Sequence, residues 1–357
     1  MVDILLVGGG HAHLGILRRI RMKAVDYRVT LISASTYQYY SGMFSGFTEG
    51  LYSEQEIRIN VEELCQQSGV TFIKDTIVHV DATNRKLVGT TGIEYGFKLV
   101  SFDIGSNIGS LDGSIKQIEI KPNYVFPNEI HTFRETAFPV VVGGGAAGVE
   151  MALSVQAWRL NNGYKSNVTV ISSSPLLSSV SEKASSKIMK IVKQKGIVVH
   201  DQDEIQETSR QQLTTKKGRR IACSQLLPLT GAKASTLFAE SSLTLDENGF
   251  LLVESTLQVK DYPWVFGAGD CVTIRTNPEL PKNGVFAVRQ EPVLWENINL
   301  YLTGKPLKSF VPQKKFLSIL SVGQQQGLIT YGRHAFYGRW AWRLKHSIDM
   351  KFMNKHK

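Results

Sequence analysis

Two stretches of this chain carry the same succession of apolar and polar positions. In the first, Val2-Asp3-Ile4-Leu5-Leu6-Val7 is a strand-length apolar run ending in Gly8-Gly9-Gly10, and Leu14, Leu17 and Ile20 then recur at helical spacing. Arg28-Val29-Thr30-Leu31-Ile32 follows as a second strand. About 135 residues later, Val140-Val141-Val142 runs into Gly143-Gly144-Gly145, a helix is predicted over Val149 to Trp158, and Asn167 to Ile171 reads as the next strand. Strand, glycine turn, helix and strand open a βαβ unit, and two copies predict an α/β chain with two Rossmann-like dinucleotide-binding domains.

Between the copies, residues 70–108 alternate short β-rich runs with turn residues, as expected for strands completing the first domain. Near the end, Trp264-Val265-Phe266 enters Gly267-Ala268-Gly269-Asp270, a strand that ends in a glycine-aspartate turn. These placements predict a first domain of residues 1–108 and 248–308, a second inserted at 109–247, and a C-terminal region at 309–357.

The length of 357 residues and 42% apolar content suit two or three domains that each bury a core. No apolar window approaches the ~20 residues that span a bilayer, and no basic segment precedes a hydrophobic one at the start, so the expected location is cytoplasmic. Cys65, Cys223 and Cys271 form no CxxC or CxxxxC pair, which argues against a disulfide framework or a metal site. The net charge of +10 is uneven: residues 331–357 hold seven Lys/Arg against one acid, Asp349. That asymmetry suggests an anionic surface as partner.

The glycine turns supply the chemistry. A glycine at the strand end permits the tight turn, a second lets the backbone approach a pyrophosphate, and the helix start offers N–H groups and positive dipole to it. Gly8 and Gly10 fill these places in the first copy, but His13 replaces the third glycine, so unusual helix packing is expected there, with Gly15 relieving it. The second copy has all three, Gly143, Gly145 and Gly148. Neither second strand ends in the carboxylate that usually binds ribose hydroxyls, since Ser33-Ala34-Ser35 and Ser172-Ser173-Ser174 stand there. The choice between NADH and NADPH is therefore open.

With these pieces placed, the sequence resembles the two-dinucleotide-domain flavoproteins of the pyridine nucleotide-disulfide oxidoreductase superfamily, on the branch of type II NADH dehydrogenases. It is most similar to the flavoprotein domain fused to some selenide, water dikinases. Gly8-Gly9-Gly10-His11-Ala12-His13, Tyr40-Ser41-Gly42-Met43, Asp103-Ile104-Gly105-Ser106, the run from Pro281 to Gln290 and Ile348-Asp349-Met350-Lys351-Phe352-Met353 carry the resemblance. No kinase domain accompanies them. The resemblance implies FAD at the first site and NADH or NADPH at the second. It implies that Tyr40, Ser41, Gly42, Met43 and Lys282 lie near the isoalloxazine, that Gly269 and Asp270 meet the ribityl chain, and that Glu150 lies near the nicotinamide. It also places Gly8, Gly10, His11 and Ala12 at the flavin, while His11 and His13 read as packing and hydrogen-bonding residues.

Disulfide reductases of this superfamily use a cysteine pair beside the flavin, and none is spaced for it here. Electrons are expected to pass from NAD(P)H to FAD and on to a quinone or other small acceptor. A soluble reductase of a small molecule or protein, or a flavin-binding sensor with a vestigial nicotinamide site, are the other readings. Trp340, Leu344, Ile348 and Phe352 recur every four residues, with Arg339, Arg343, Lys345, Lys351 and Lys355 around them. Such a helix suits either an anionic membrane surface or docking on the protein's own body. No nucleic-acid module accompanies the charge.

Overall fold

The computed structural model describes residues 2–313 and 315–357. The first glycine turn sits at the edge of a parallel sheet in which the strand Val2–Val7 is central. Val29–Ser33 pairs it on one side, with Thr71–Lys74 beyond, and Glu94–Phe102 pairs it on the other, with Val265–Gly267 beyond that. Helices cover both faces of such a sheet, so its middle strands are apolar without alternation; Ile4, Leu5 and Leu6 are wholly buried. The Glu94–Phe102 strand also continues an antiparallel meander with Lys86–Gly89 and Ile77–Asp81.

The second glycine turn repeats the arrangement in a sheet ordered Val198–Asp201, Thr169–Ser172, Pro139–Val142, Gln225–Pro228, all parallel. A three-stranded antiparallel sheet, Ile205–Ser209, Gln212–Thr215 and Arg220–Ala222, follows it. The chain crosses between the two sheets along a short ribbon in which Asn107–Ile108 pairs Ala232–Lys233. A three-stranded hairpin array over residues 318–338 and the helix Arg339–His356 finish the fold. No helix among the described residues is long and apolar enough to cross a membrane.

The His13 substitution is accommodated differently from expectation. The first helix, His11–Met22, packs on its sheet through the His13 ring, which is fully buried. Nδ1 lies 2.7 Å from the Gly8 carbonyl and Nε2 2.9 Å from the Ser101 hydroxyl. A carbonyl can only accept, so Nδ1–H donates to it and Nε2 accepts from Ser101. Burial drives the ring's pKa down to about 4, which keeps this neutral tautomer. Gly15 relieves no strain there. It makes room for the helix Gly284–Leu302, because a Cβ at Gly15 would stand 2.4 Å from Glu291 Cγ, and Glu291 pairs with Arg19 one turn on.

Candidate active site

A cavity of about 310 Å³ opens above the first glycine turn. Gly8, Gly10, His11, Ser41 and Asp270, all expected at the flavin, line it. Asp103 and Lys121 line it too. The Lys121 ammonium donates to Ser106 Oγ at 2.9 Å and to Asp270 Oδ2 at 3.3 Å, so a cation stands beside the aspartate that follows the strand Val265–Gly267. Asp103 caps the first helix from across the sheet: Oδ2 accepts from Ala12 N at 2.7 Å and from His13 N at 3.1 Å. The Ala12 N–H is thereby taken by the protein itself. Gly269 adopts φ +75°, and its N–H donates to Gln290 Oε1 at 2.6 Å.

The second glycine turn is open. Gly143 adopts φ +128°, and a Cβ there would meet Leu229 O at 2.2 Å; a Cβ on Gly148 would meet Gly143 O at 2.0 Å. Those two glycines let helix and strand close on each other. Gly145 is different, since a Cβ there meets nothing within 4 Å and its φ is −73°. It faces space that an incoming ligand can fill, at the uncapped start of the helix Ala146–Asn161.

Between the two turns lies a buried ionic cluster. Glu150 Oε1 accepts from Ser45 Oγ at 2.9 Å and from Ser321 N at 2.7 Å. The Lys345 ammonium donates to Asp349 Oδ2 at 2.8 Å and to the Gly42 carbonyl, while the Tyr40 hydroxyl donates to Asp349 Oδ1 at 3.1 Å. Burial raises the Glu150 carboxyl, and the Lys345 charge opposes that rise. Burial likewise raises Asp349, again against Lys345. The Tyr40 ring stacks on Phe352 at 4.4 Å and lies 5.5 Å from His11, whose pKa burial lowers to about 4. A Cβ on Gly42 would stand 2.6 Å from the Tyr40 ring, and Met43 is fully buried behind it.

The C-terminal helix therefore departs from the expected stripe. Trp340, Leu344 and Ile348 are exposed by 53%, 39% and 46%, but Phe352 turns inward onto Tyr40 and Lys345 is committed to the ionic cluster. Steps of four residues advance about 40° beyond a full turn, so three steps carry Phe352 about 120° round from Trp340. One face docks and the other stays open.

Lys282 is a second departure. Its ammonium donates to the Val272 carbonyl and to Thr273 Oγ1 at 2.8 Å and lies 4.2 Å from the centre of the Phe250 ring. Thr273 Oγ1 in turn donates to Asp246 Oδ2 at 2.7 Å, so the amine is held on the strand Val272–Ile274, and the residue does not line the cavity.

The model of the family described as pyridine nucleotide-disulphide oxidoreductase matches residues 2–290. This chain belongs to that family. The oxidoreductase is 24% identical over 343 residues to ferroptosis suppressor protein 1 of Xenopus tropicalis, covering 92% of the chain and 88% of the relative. It is 22% identical over 385 residues to the type II NADH:quinone oxidoreductase of Staphylococcus saprophyticus, covering 99% of the chain and 95% of the relative. Its fold is similar to that of the sulfide:quinone oxidoreductase of Aquifex aeolicus, with a TM-score of 0.83 at 16% identity, covering 99% of this chain and 92% of that one. The enzyme uses FAD and NAD(P)H.

Both sites fit these cofactors. The first offers a cavity of about 310 Å³ with the carboxylate of Asp270 and the cation of Lys121, and the second offers the bare Gly145 cradle. The three thiols of the oxidoreductase are buried, and burial pushes each up to about 12. Asp103, Lys121, Lys345 and Asp349 join the expected residues at these sites. Asp103 and Asp349 stand inside motifs that carry the family resemblance, and that is their signal in the sequence. Lys345 looks in the sequence like one more basic residue of the C-terminal helix, and Lys121 carries no signal there.

Proposed function

We propose that this oxidoreductase passes electrons from NAD(P)H through FAD to a quinone, working against an anionic membrane surface. The FAD supplies the chemistry of accepting a hydride and releasing its two electrons to a second substrate. Gly8 and Gly10 hold its pyrophosphate end, Asp270 its ribityl hydroxyls, and Tyr40 to Met43 pack beside its ring. Gly145 admits the nicotinamide cofactor's pyrophosphate, and Glu150 faces the space between the two sites. Lys345 supplies the positive charge next to that space, fixed by Asp349. The domain division at 1–108 with 248–308, 109–247 and 309–357 is part of the same proposal.

One observation carries the acceptor. The helix Arg339–His356 closes the site with Lys345, Asp349 and Phe352, and on its other side it exposes Trp340, Leu344 and Ile348. Arg339, Arg343 and Lys351 flank those three side chains in the sequence. Apolar burial and about 1 kcal/mol per basic residue near anionic lipid would bring this face to a membrane, where quinones dissolve. The Staphylococcus relative, by its name an NADH:quinone oxidoreductase, supports the same acceptor.

The test is NADH oxidation with ubiquinone and menaquinone analogues, with and without vesicles containing anionic lipid. Vesicles should raise the rate, and a variant with Trp340, Leu344 and Ile348 all changed to Ser should lose sedimentation with them while keeping its flavin. Equal vesicle binding by that variant would sink the membrane part. Rapid flavin reduction followed by reoxidation only with soluble acceptors would replace the quinone with a soluble one.

The buried thiols leave the cofactors to relay electrons without a thiolate. Changing Cys65, Cys223 and Cys271 together to Ala should keep most of the NADH-dependent rate. A flavin-loaded triple variant with no such rate would return a cysteine to the mechanism.

A further inference from the structure

The two glycine turns occupy equivalent places, and comparing them isolates one residue. Val7 pairs with Phe102 and Val142 with Pro228, so Asp103 and Leu229 each stand one residue past the neighbouring strand. A Cβ on Gly8 would meet Asp103 O at 2.4 Å, just as one on Gly143 meets Leu229 O at 2.2 Å. Beyond the backbone the two sites diverge. Leu229 offers no polar side chain, whereas Asp103 closes the first helix start through the N–H groups of Ala12 and His13. A Cβ on Gly10 would stand 2.2 Å from Asp103 Oδ1, where its counterpart Gly145 meets open space. Gly269, beside Asp270, is also bare against Oδ1, at 2.5 Å. The carboxyl is 3% exposed, lines the cavity, and its Oδ1 receives no hydrogen bond from a described residue.

A family enzyme must bring a dianionic pyrophosphate to this turn, and a second anion already stands there. We propose that Asp103 is a proton-linked residue of the FAD site: FAD binds best when this carboxyl carries a proton, and binding takes that proton from solvent. Protonated, the side chain has a hydroxyl to offer a phosphate oxygen and no charge to repel it. Ionised, it satisfies the helix start but opposes the cofactor.

Burial pushes the Asp103 carboxyl up to about 7 against the pull of the His13 and Ala12 N–H groups, and Asp270 adds to the rise. The other groups around it come from the first helix, the Gly269–Cys271 turn and the separate segments that hold Lys282 and Lys121. His13 and His11 on the first helix are neutral, with pKa values lowered by burial to about 4. Cys271 on the Gly269–Cys271 turn is held up at about 12, with Lys282 near it, and Lys121 pairs with Asp270. A pyrophosphate at the turn raises Asp103 further. FAD is then held tightest below neutrality, and its affinity falls as pH rises through about 7.

The experiment uses the protein as purified with its flavin, diluted at about pH 6.5 and about pH 8.5 at one ionic strength, with released FAD read by its fluorescence. The dissociation constant should rise about tenfold across that range, and dissociation at about pH 8 should release a large fraction of one proton per FAD into weak buffer. Asp103→Asn keeps an oxygen for the two N–H donors and should hold FAD equally at both pH values without proton release. Wild-type release that ignores pH and liberates no proton overturns the proposal, as does an unchanged pH dependence in Asp103→Asn or its loss in Asp270→Asn alone. The proton measurement on wild type stands even if Asp103→Asn folds poorly. Full flavin content in Gly8→Val would instead remove the first turn from the flavin site, a different failure.

Discussion

Gly145→Val should reduce the rate at which NADH or NADPH bleaches the flavin by about two orders of magnitude or more, roughly 3 kcal/mol of lost nucleotide binding. The reason is the contrast among the three glycines of the second turn. Gly143 and Gly148 are bare because backbone carbonyls press on them, so side chains there would damage the domain. Gly145 is bare with nothing opposite it and with a φ of −73° that any residue adopts. A valine there leaves the fold intact and fills the space a pyrophosphate needs. The variant should purify with normal FAD content and reduce fully with dithionite. Undiminished reduction by NAD(P)H would show that the nucleotide binds elsewhere, and loss of FAD as well would show that the two sites share this turn.

Lys345→Met should cost about 3–5 kcal/mol of unfolding free energy at neutral pH, because removing one partner strands a buried charge. Here the stranded group is Asp349, with Glu150 losing its nearest opposing charge as well. The sign with pH follows from the shifts. Both carboxyls are raised in the folded protein, so each is uncharged and costs nothing at acid pH. The variant's deficit should therefore be small near about pH 4 and should grow as pH rises through their raised values. Urea midpoints for wild type and variant across that range measure it. Adding Asp349→Asn should recover part of the loss by removing the stranded charge. A variant as stable as wild type at neutral pH would mean that aromatic packing of Phe352 on Tyr40, and not the ion pair, holds the helix.

The two strand–turn–helix units are legible in the amino-acid order, since a parallel strand buried on both faces must be an apolar run and a pyrophosphate turn must be glycine-rich. These are local requirements, and Val2–Val7 with Gly8 to Gly10 and Pro139–Val142 with Gly143 to Gly145 meet them in the fold. The order of strands around them follows from right-handed βαβ connections. What the tertiary structure decided is which side chains meet at those turns. Asp103 reaches a helix start 91 residues away and turns Gly10 into space for its own carboxylate. Lys345 leaves the cationic surface because it shares a helix face with Asp349 and Phe352, four and seven residues on, and Phe352 leaves the apolar stripe because a period of four drifts round a helix of 3.6 residues per turn. Lys282 bonds the strand Val272–Ile274 and stays off the cavity lining. Spacing along a chain records which residues share an element's face, but the partner that face meets depends on how distant elements pack, and that is settled only when the core closes.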